Sequence, residues 1–299
     1  MKIASMTSSF YSCRDREGKI SYNESIRRLK DAGFTHIDLN LASIDSPLNQ
    51  FYGEDWEKTA CCLREDAEKL GVTFIQSHAP YNPKRSFKAY TPEETQHFRE
   101  VLMRAWKIAE ICGVPNVVIH PLAKVDAPME DLDAHVAYNY EFYEQFLSAC
   151  DQAGMYACFE NLPLGYGQYA SQLLGLMEAK GSHNAAVCWD FGHGQLNYPK
   201  RTWSDADQTV AIRMLKGHIR AVHVHDNLGK DDNHLLPFLG IIEWEKVLPA
   251  LRESGFAGDL VFEIKQNAGM PYDLMDDSMA FCAKVGEKLI ELLESGSKL

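Results

Sequence analysis

The chain has 299 residues and carries 30 lysines and arginines against 42 aspartates and glutamates, which gives a net charge of −12. A hydrophobic share of 45% and a charged share of 24% are typical of a globular protein and exclude a largely disordered chain. The acidic balance disfavours non-specific nucleic-acid binding, and no apolar run is long enough to span a bilayer. The N-terminus lacks the pattern of a signal peptide, so we expect a cytoplasmic protein.

The cysteines are scattered and show no Cys-x-x-Cys spacing, and several of them lie in apolar runs. This pattern predicts free thiols, buried as small hydrophobic side chains in a reducing compartment, rather than a disulfide framework. The residues are Cys13, Cys61, Cys62, Cys112, Cys150, Cys158, Cys188 and Cys282.

Short apolar runs typical of buried strands alternate along the chain with segments of helical spacing. The predicted strands are Lys2–Thr7, His36–Leu41, Val72–His78, Asn116–His120, Met155–Glu160, Ala185–Asp190, Ala221–His225 and Asp259–Ile264. Between the first two strands, Ser21 is predicted to cap a helix that ends at Gly33, with Glu24 as its capping-box partner. Later, Thr91 and Pro92 open a helix that Gly113 closes. Further glycines typical of helix C-termini are Gly71, Gly154, Gly181, Gly217 and Gly255.

Eight strands alternating with eight helices, roughly one unit per 35 residues, favour a (β/α)₈ TIM barrel. No glycine-, serine- or proline-rich linker divides the chain, so residues 1–299 are predicted to form a single domain. The alternative is an open, doubly wound sheet. That fold predicts a glycine-rich phosphate turn after the first strand, and the segment SMTSSF contains no glycine.

Six predicted strands end in side chains that bind metals or move protons. In a barrel these ends converge on one mouth, where active sites lie. Glu160 and Asp190 follow apolar residues, and ionised carboxylates there are costly unless a cation compensates them. Carboxylates with imidazoles suit Mn²⁺, Mg²⁺, Co²⁺ or Zn²⁺. The strand ends carry His78, His120, Glu160, Asp190 with His193, His223, and Glu263.

Several nearby residues have a simpler structural interpretation. We expect His225 to point away from His223, into the helix layer. Asp226 is expected to start the following turn, and His36 and His218 are expected to be structural. Two interpretations of the segment 230–234 stay open: it is a solvated charged loop, or Asp232 and His234 present two ligands on one side. Aromatic residues near the strand ends belong to the core or stack on a sugar face; they are Tyr81, Tyr166, Trp189, Phe191 and Trp203.

The chain resembles the sugar phosphate isomerase/epimerase superfamily, whose xylose isomerase-like barrels include endonuclease IV. The segments that carry the resemblance are GFTHIDLNL, QSHAPYN, NVVIHPL, CFENLP, VCWDFGH, IRAVHVHDNLGKDDNHLLPFLGIIEW and LVFEIK. By this resemblance to ketose 3-epimerases, one divalent ion is held by Glu160, Asp190, His223 and Glu263, and His193 contacts the substrate. Those epimerases also use an arginine in the loop after the metal-binding histidine, and the corresponding loop Asp226–Lys230 contains none.

The resemblance to endonuclease IV implies a second ligand set, which holds three zinc ions. Its nine ligand types are matched by His78, His120, Glu160, Asp190, His193, His223, Asp232, His234 and Glu263. The segment Trp189–His193 nevertheless has the isomerase form of its motif, because the Thr-Cys pair of the endonuclease form is absent. Only the loop Tyr81–Arg85 carries a modest basic patch beside a strand end, so nucleic acid is not an expected partner.

The expected function is a divalent-metal-dependent isomerase or epimerase acting on a sugar, a sugar phosphate or a polyol-derived ketose. Glu160 and Glu263 act as acid and base around an enediolate. The expected substrate contacts are His78, His120, Trp189, His193 and Lys230. The alternatives are a trinuclear-zinc phosphodiesterase, an inosose dehydratase-like lyase and a catalytically idle binding module. Relatives often form dimers or tetramers, so a homo-oligomer is an expectation by resemblance. A weak candidate phosphate-binding segment is Gln266–Gly269.

Overall fold

A computed structural model describes residues 1–11, 20–81, 90–179, 184–197, 207–265 and 270–295. Its eight parallel strands form a closed barrel in chain order, and each strand is followed by at least one helix. The predicted TIM barrel is therefore confirmed. The strands are β1 Ile3–Met6, β2 His36–Asn40, β3 Thr73–His78, β4 Asn116–Ile119, β5 Tyr156–Glu160, β6 Ala185–Asp190, β7 Ile219–Val224 and β8 Leu260–Phe262.

The part of the chain that the structure describes contains ten helices rather than the eight expected. The additional ones are short segments, α1 and α7, which directly follow β1 and β6 and precede the main helices of those units. The helices are α1 Ser8–Tyr11, α2 Tyr22–Asp31, α3 Trp56–Leu70, α4 Pro92–Ile111, α5 Leu132–Ala153, α6 Ala170–Glu178, α7 Phe191–Asn197, α8 Gln208–Met214, α9 Trp244–Glu253 and α10 Tyr272–Ser295.

The strand bounds agree with the predicted runs to within two residues, and the barrel closes where β1 pairs with β8. β7 begins at Ile219, two residues before the predicted start. β8 is short, so Glu263 lies immediately beyond its last residue, Phe262. Since all strands are parallel and each one pairs with the next, their carboxyl ends lie on the same rim.

Local sequence signals place the helix ends. The Ser21 hydroxyl accepts a hydrogen bond from the Glu24 backbone N–H, as expected, but the Glu24 carboxylate pairs with Arg27 and Arg28. At the start of α4 both halves of the predicted capping box are present, between Thr91 and Glu94. Glycines with positive φ follow several helices, namely Gly33, Gly71, Gly113, Gly154, Gly217 and Gly255. Gly181 lies outside the described residues.

Two apolar layers follow from the alternation of side chains along the strands. One set packs between the strands and the surrounding helices and includes Ile37, Leu39 and Phe159. The other fills the barrel interior with small side chains, among them Cys158, Ala186, Cys188 and Ala221. The interior is therefore a packed core whose apolar filling ends below the carboxyl rim.

The cysteine prediction is confirmed for the seven cysteines that the structure describes, all of which are free. Five are buried, whereas Cys61 is partly exposed and Cys62 is exposed. Cys13 lies outside the described residues. None of the described helices combines the length and apolar character that crossing a bilayer requires.

We predict that replacing the α4 cap, Thr91→Ala, lowers the free energy of unfolding by about 1 kcal/mol, because the Glu94 N–H loses its acceptor. Urea denaturation measures the change. The matched control is Thr95→Ala, the same substitution one turn further along the helix, where there is no capping contact. Equal destabilisation of the two variants would show that the cap contributes nothing specific.

Candidate active site

Four acidic or imidazole side chains meet at the carboxyl rim of the barrel. Glu160 ends β5, Asp190 ends β6, His223 lies near the end of β7, and Glu263 directly follows β8. One oxygen or nitrogen from each lies within 4.8 Å of those of the other three. Barrel closure thus brings together residues that are more than a hundred positions apart in the sequence.

His223 is the centre of this group. Its Nδ1 lies 3.0 Å from Glu160 Oε1, 3.0 Å from Glu263 Oε2 and 3.7 Å from Asp190 Oδ2. Glu160, Asp190 and His223 are almost entirely buried, and Glu263 is partly exposed. Three carboxylates therefore surround one nitrogen, and one of them reaches the open side of the site.

A second group forms on the other oxygen of Glu160. His78 Nε2 lies 3.2 Å and His120 Nε2 3.1 Å from Glu160 Oε2. The Tyr81 ring stacks on His120, with 4.4 Å between the ring centroids. Glu160 thus links the central group to a pair of histidines from β3 and from the residue after β4.

A third group forms on the loop after β7. His234 Nε2 lies 2.9 Å and His193 Nε2 3.5 Å from Asp232 Oδ2. His234 has a φ of 48°, an unusual backbone conformation for a residue other than glycine. Asp232 and His234 thus both line the site, and their role as ligands stays a prediction.

Three of the histidines are oriented by backbone carbonyl groups, which can only accept hydrogen bonds. Nδ1–H of His78 donates to the Ala79 carbonyl, that of His193 to Asn161, and that of His234 to Glu263. The three distances are 2.8, 2.8 and 2.9 Å. Each ring therefore directs Nε2 into the site, an arrangement typical of metal-binding histidines.

Asn161 is a site residue that the sequence analysis did not single out. Its side chain accepts a hydrogen bond from the Asp190 N–H at 2.6 Å and donates one to the Asp190 carbonyl at 2.8 Å. Its own carbonyl accepts from His193. The sequence did contain a signal for Asn161, because it is a polar residue that directly follows Glu160 at the end of an apolar strand.

The central carboxylate is ionised despite its burial. Burial opposes the charge on Glu160, but the facing His223 and hydrogen bonds from His120 and His78 hold the pKa of this carboxyl well below its usual value. Burial likewise opposes protonation of His223, and Glu160 and Glu263 nevertheless raise its pKa well above 6.5. Protons on the imidazoles thus compensate the charge of the buried carboxylates.

The outer histidines follow the same electrostatic rule. Burial opposes protonation of His193, but Asp190, Asp232 and Glu160 raise its pKa to about 10. Burial acts in the same direction on His234, and the adjacent Asp232 raises its pKa to about 9. The carboxylates at the rim thus concentrate negative charge, which attracts protons or a metal cation.

The donor atoms fit a divalent cation. Three carboxylates and one imidazole form the central group, and this combination of oxygen and nitrogen ligands suits Mn²⁺, Mg²⁺, Co²⁺ and Zn²⁺. Buried carboxylates at such short separation are stabilised by a positive charge between them. The residues also form three further groups with ligand spacing: His78–His120–Glu160, Asp190–His193–His225 and His225–His234–Glu263.

The groups open into a cavity of about 230 Å³ at the barrel mouth. Its polar wall consists of histidines and carboxylates, and its other wall is Leu162, Pro163 and Leu164 from the loop after β5. Among the described lining residues there is no lysine or arginine. The lining residues are His78, Tyr81, His120, Glu160, Leu162, Pro163, Leu164, His193, Asp232, His234 and Glu263.

Comparison with known proteins agrees with this architecture. The profile of the family described as Xylose isomerase-like TIM barrel matches residues 26–290. The chain belongs to the xylose isomerase-like TIM barrel family. It is 24% identical over 266 residues to the protein y4fM of Sinorhizobium fredii (strain NBRC 101917 / NGR234), covering 81% of this chain and 82% of that protein.

Solved structures share the fold at low sequence identity. A D-tagatose 3-epimerase-like protein aligns with a TM-score of 0.74 at 20% identity, covering 99% of both chains. An L-ribulose 3-epimerase aligns with a TM-score of 0.70 at 20% identity, covering 99% of this chain and 96% of the other. These likenesses show the barrel fold over nearly the whole chain.

Two of the predicted substrate contacts lie outside the cavity of this xylose isomerase-like barrel. Trp189 is fully buried between the strands and the helices, because the next residue, Asp190, faces the barrel interior and alternation directs Trp189 outward. Lys230 is exposed on the loop after β7 and does not line the cavity. A sugar in the cavity therefore meets neither side chain in this structure.

The other aromatic candidates lie either at the cavity or in the core. Tyr81 lines the cavity and is 44% exposed, whereas Tyr166 and Phe191 are fully buried in the core. Trp203 lies outside the described residues. So do residues 82–85, which carry most of the basic patch, and Gln266–Gly269, the candidate phosphate segment.

The prediction for His225 is wrong. Its ring does not enter the helix layer but lies 3.0 Å from Asp190 Oδ2, because side chains two residues apart along an extended strand share a face and His225 therefore follows His223 toward the site. Asp226 fulfils the expected structural role: its carboxylate accepts hydrogen bonds from the backbone N–H groups of Asn227 and Ile242 and from the Trp244 indole. His36 begins β2 and His218 directly precedes β7, so both lie at the amino-terminal ends of their strands, away from the carboxyl rim.

We predict that a divalent cation releases protons when it binds at pH 7. The pKa of His223 is raised well above 6.5, so its ring is protonated in the metal-free protein and must lose that proton to bind a metal. The apparent affinity for Mn²⁺ therefore rises with pH until that pKa is passed. Calorimetric titration in two buffers of different ionisation enthalpy measures the release.

The matched pair for this measurement is His223→Gln and His97→Gln, because His97 is exposed, pairs with Asp45 and does not line the cavity. The first substitution removes the proton that His223 contributes to the release, and the second leaves the release unchanged. Tight Mn²⁺ binding by the unmodified protein without proton release would contradict the prediction.

Proposed function

We propose that the protein is a divalent-metal-dependent isomerase or epimerase that acts on a sugar or a polyol-derived ketose through an enediolate. The observation that carries the proposal is the position of Glu160 and Glu263, which both line the cavity and whose carboxylates both contact His223 Nδ1. Two structures with the same fold are described as a D-tagatose 3-epimerase-like protein and an L-ribulose 3-epimerase, which supports this reaction class.

The difficult step in such a reaction is the removal of a proton from the carbon next to a carbonyl group. A cation held by Glu160, Asp190, His223 and Glu263 would supply positive charge to the oxygens of the resulting enediolate. Glu160 and Glu263 extend from β5 and β8, which lie three strands apart in the barrel. One carboxylate therefore can remove the proton and the other can return it to the substrate.

The two glutamates have different surroundings, which favours different roles. Both oxygens of Glu160 are engaged, one by His223 and the other by His78 and His120. Glu263 is partly exposed on the cavity side, and its Oε1 lies no closer than 4.0 Å to His234. Glu263 is thus freer to approach a substrate, while Glu160 is held in one orientation.

The other cavity residues suit a small polyhydroxy compound. His193 and His234 each direct Nε2 to Asp232 in the cavity lining, so this carboxylate and the two rings form a polar edge for a substrate hydroxyl group. The exposed Tyr81 ring and the Leu162–Leu164 wall offer apolar surface to the C–H face of a sugar. Substrate contacts thus come from several separate loops of the barrel mouth.

We predict that Glu160→Gln and Glu263→Gln each lower turnover by roughly 10²- to 10⁴-fold, because each removes a proton-transfer group. Uptake of deuterium from D₂O at the carbon next to the carbonyl, read across a panel of ketoses and polyol-derived ketones with Mn²⁺ present, measures the reaction. The same panel reports loss of water, which distinguishes a dehydratase-like lyase from an epimerase.

The matched control for both variants is Glu243→Gln, since Glu243 is an exposed carboxylate that pairs with Lys246. It should retain wild-type deuterium uptake. Metal content and the thermal unfolding midpoint are measured for each variant, so that loss of the ion or of the fold is recognised. Undiminished uptake in both site variants would refute the assigned roles.

A second candidate function is a trinuclear-zinc phosphodiesterase of the endonuclease IV type. The observation that favours it is that all nine residues matching that ligand set lie at one rim, with His78, His193 and His234 each oriented by a carbonyl group. The acidic cavity opposes it, because the described lining offers no lysine or arginine to a phosphate backbone.

Metal stoichiometry separates these two functions. We predict one bound Mn²⁺, Mg²⁺, Co²⁺ or Zn²⁺ per chain and no cleavage of a duplex that contains an abasic site. Elemental analysis of the purified protein and a gel assay with that duplex test both points. Three zinc ions per chain together with strand cleavage would establish the phosphodiesterase instead.

A further inference from the structure

His225 is a buried histidine that the proposed chemistry does not use. It is the first residue after β7, its side chain is completely buried, and its Nε2 lies 3.0 Å from Asp190 Oδ2. A carboxylate without its proton can only accept, so the His225 Nε2–H donates this hydrogen bond. The contact joins a residue outside the central group to one of its four members.

The Asp190 carboxylate is held at both oxygens. Oδ1 accepts the His193 backbone N–H at 2.6 Å, and Oδ2 accepts from His225. Asn161 fixes the backbone of the same residue through two hydrogen bonds. Each carboxylate oxygen thus has one protein donor and keeps a free lone pair for a cation, an arrangement that orients metal ligands.

The His225 ring is confined by its neighbours. One face stacks on His234, with 4.2 Å between the ring centroids and 17° between the planes. The ring also lies so close to Gly192 that a Cβ atom there would be 1.9 Å from His225 Cε1. Gly192 has an ordinary φ, so this position needs glycine for space and not for backbone freedom.

The geometry points to His225 as a positioning residue, which orients the Asp190 carboxylate toward the cation by donating from Nε2. This inference rests on the proposed function, because it requires Asp190 to be a metal ligand. Gly192 leaves the room that the ring needs, and His234 prevents it from tilting away. In the described part of the chain, no residue hydrogen-bonds to His225 Nδ1, so Nε2 makes the one directional contact.

An alternative role for His225 is that of a direct ligand to a second ion, since it has ligand spacing with Asp190 and His193. The observed hydrogen bond favours positioning, because the nitrogen that faces the site already contacts the Asp190 carboxylate. Counting the bound ions in a variant without the imidazole distinguishes the two roles.

The test compares His225→Gln with His225→Met in the full-length protein. Glutamine places an N–H₂ donor near the position of Nε2, whereas methionine has a similar length and no donor. We expect His225→Met to weaken Mn²⁺ binding roughly 10- to 100-fold without changing the number of ions bound. His225→Gln retains most of the affinity. Calorimetric titration with Mn²⁺ alone gives both quantities, and circular dichroism shows that each variant is folded.

Gly192→Ala tests the same contact from the other side of the ring. The added Cβ displaces His225 from Asp190, so the Mn²⁺ affinity falls as it does in His225→Met. Since both substitutions break one contact, the double variant Gly192→Ala/His225→Met loses no more affinity than either single variant. Losses that multiply in the double variant would overturn the inference.

The remaining outcomes are equally decisive. Equal Mn²⁺ affinities of the Gln and Met variants would show that His225 only fills space. Two bound ions in the unmodified protein and one in the Met variant would make His225 a ligand of the second ion. Either result refutes positioning while leaving the proposed function intact. Absence of Mn²⁺ binding by the unmodified protein would refute both, and activity measurements would show the failure of the proposed function directly.

Discussion

The site depends on the meeting of three carboxylates around one imidazole nitrogen in a place with little access to water. Like charges at such separations destabilise a protein unless positive charge lies between them. In this chain the positive charge comes from His223 at the centre and from His78 on the far oxygen of Glu160, whereas His120, whose pKa is lowered by burial, adds a hydrogen bond to that oxygen. A divalent cation would perform the same task more completely, in keeping with the number of metal-binding residue types that meet at one rim.

Hydrogen bonds orient Asp190 and the histidines that surround the central group. Backbone carbonyls fix the rings of His78, His193 and His234, and the Asn161 side chain fixes the backbone of Asp190. The positive φ of His234 is a further sign that the loop after β7 adopts a conformation suited to the site. Rigid supports of this kind reduce the reorganisation that a bound cation and substrate require.

The same ligand types serve two chemistries on this fold, so the cavity walls favour one of them. The Leu162–Leu164 segment and the exposed Tyr81 ring suit a sugar, which presents C–H groups on its faces and hydroxyl groups at its edges. A nucleic-acid backbone needs lysines and arginines, and the residues described around this cavity are acidic, imidazole or apolar. The structure therefore supports the isomerase or epimerase proposal over the phosphodiesterase.

The sequence by itself determined the barrel and the residues that share its rim, because strand period and helix caps are local properties and closure places all carboxyl ends together. It also located Glu160, Asp190, His223 and Glu263, since each lies at or next to the end of an apolar run. Only the tertiary structure decided which partners the side chains of His225, Asp232 and His234 meet. Those contacts depend on the space left by a neighbour such as Gly192 and on the path of the loop after β7, and neither is encoded in a local pattern.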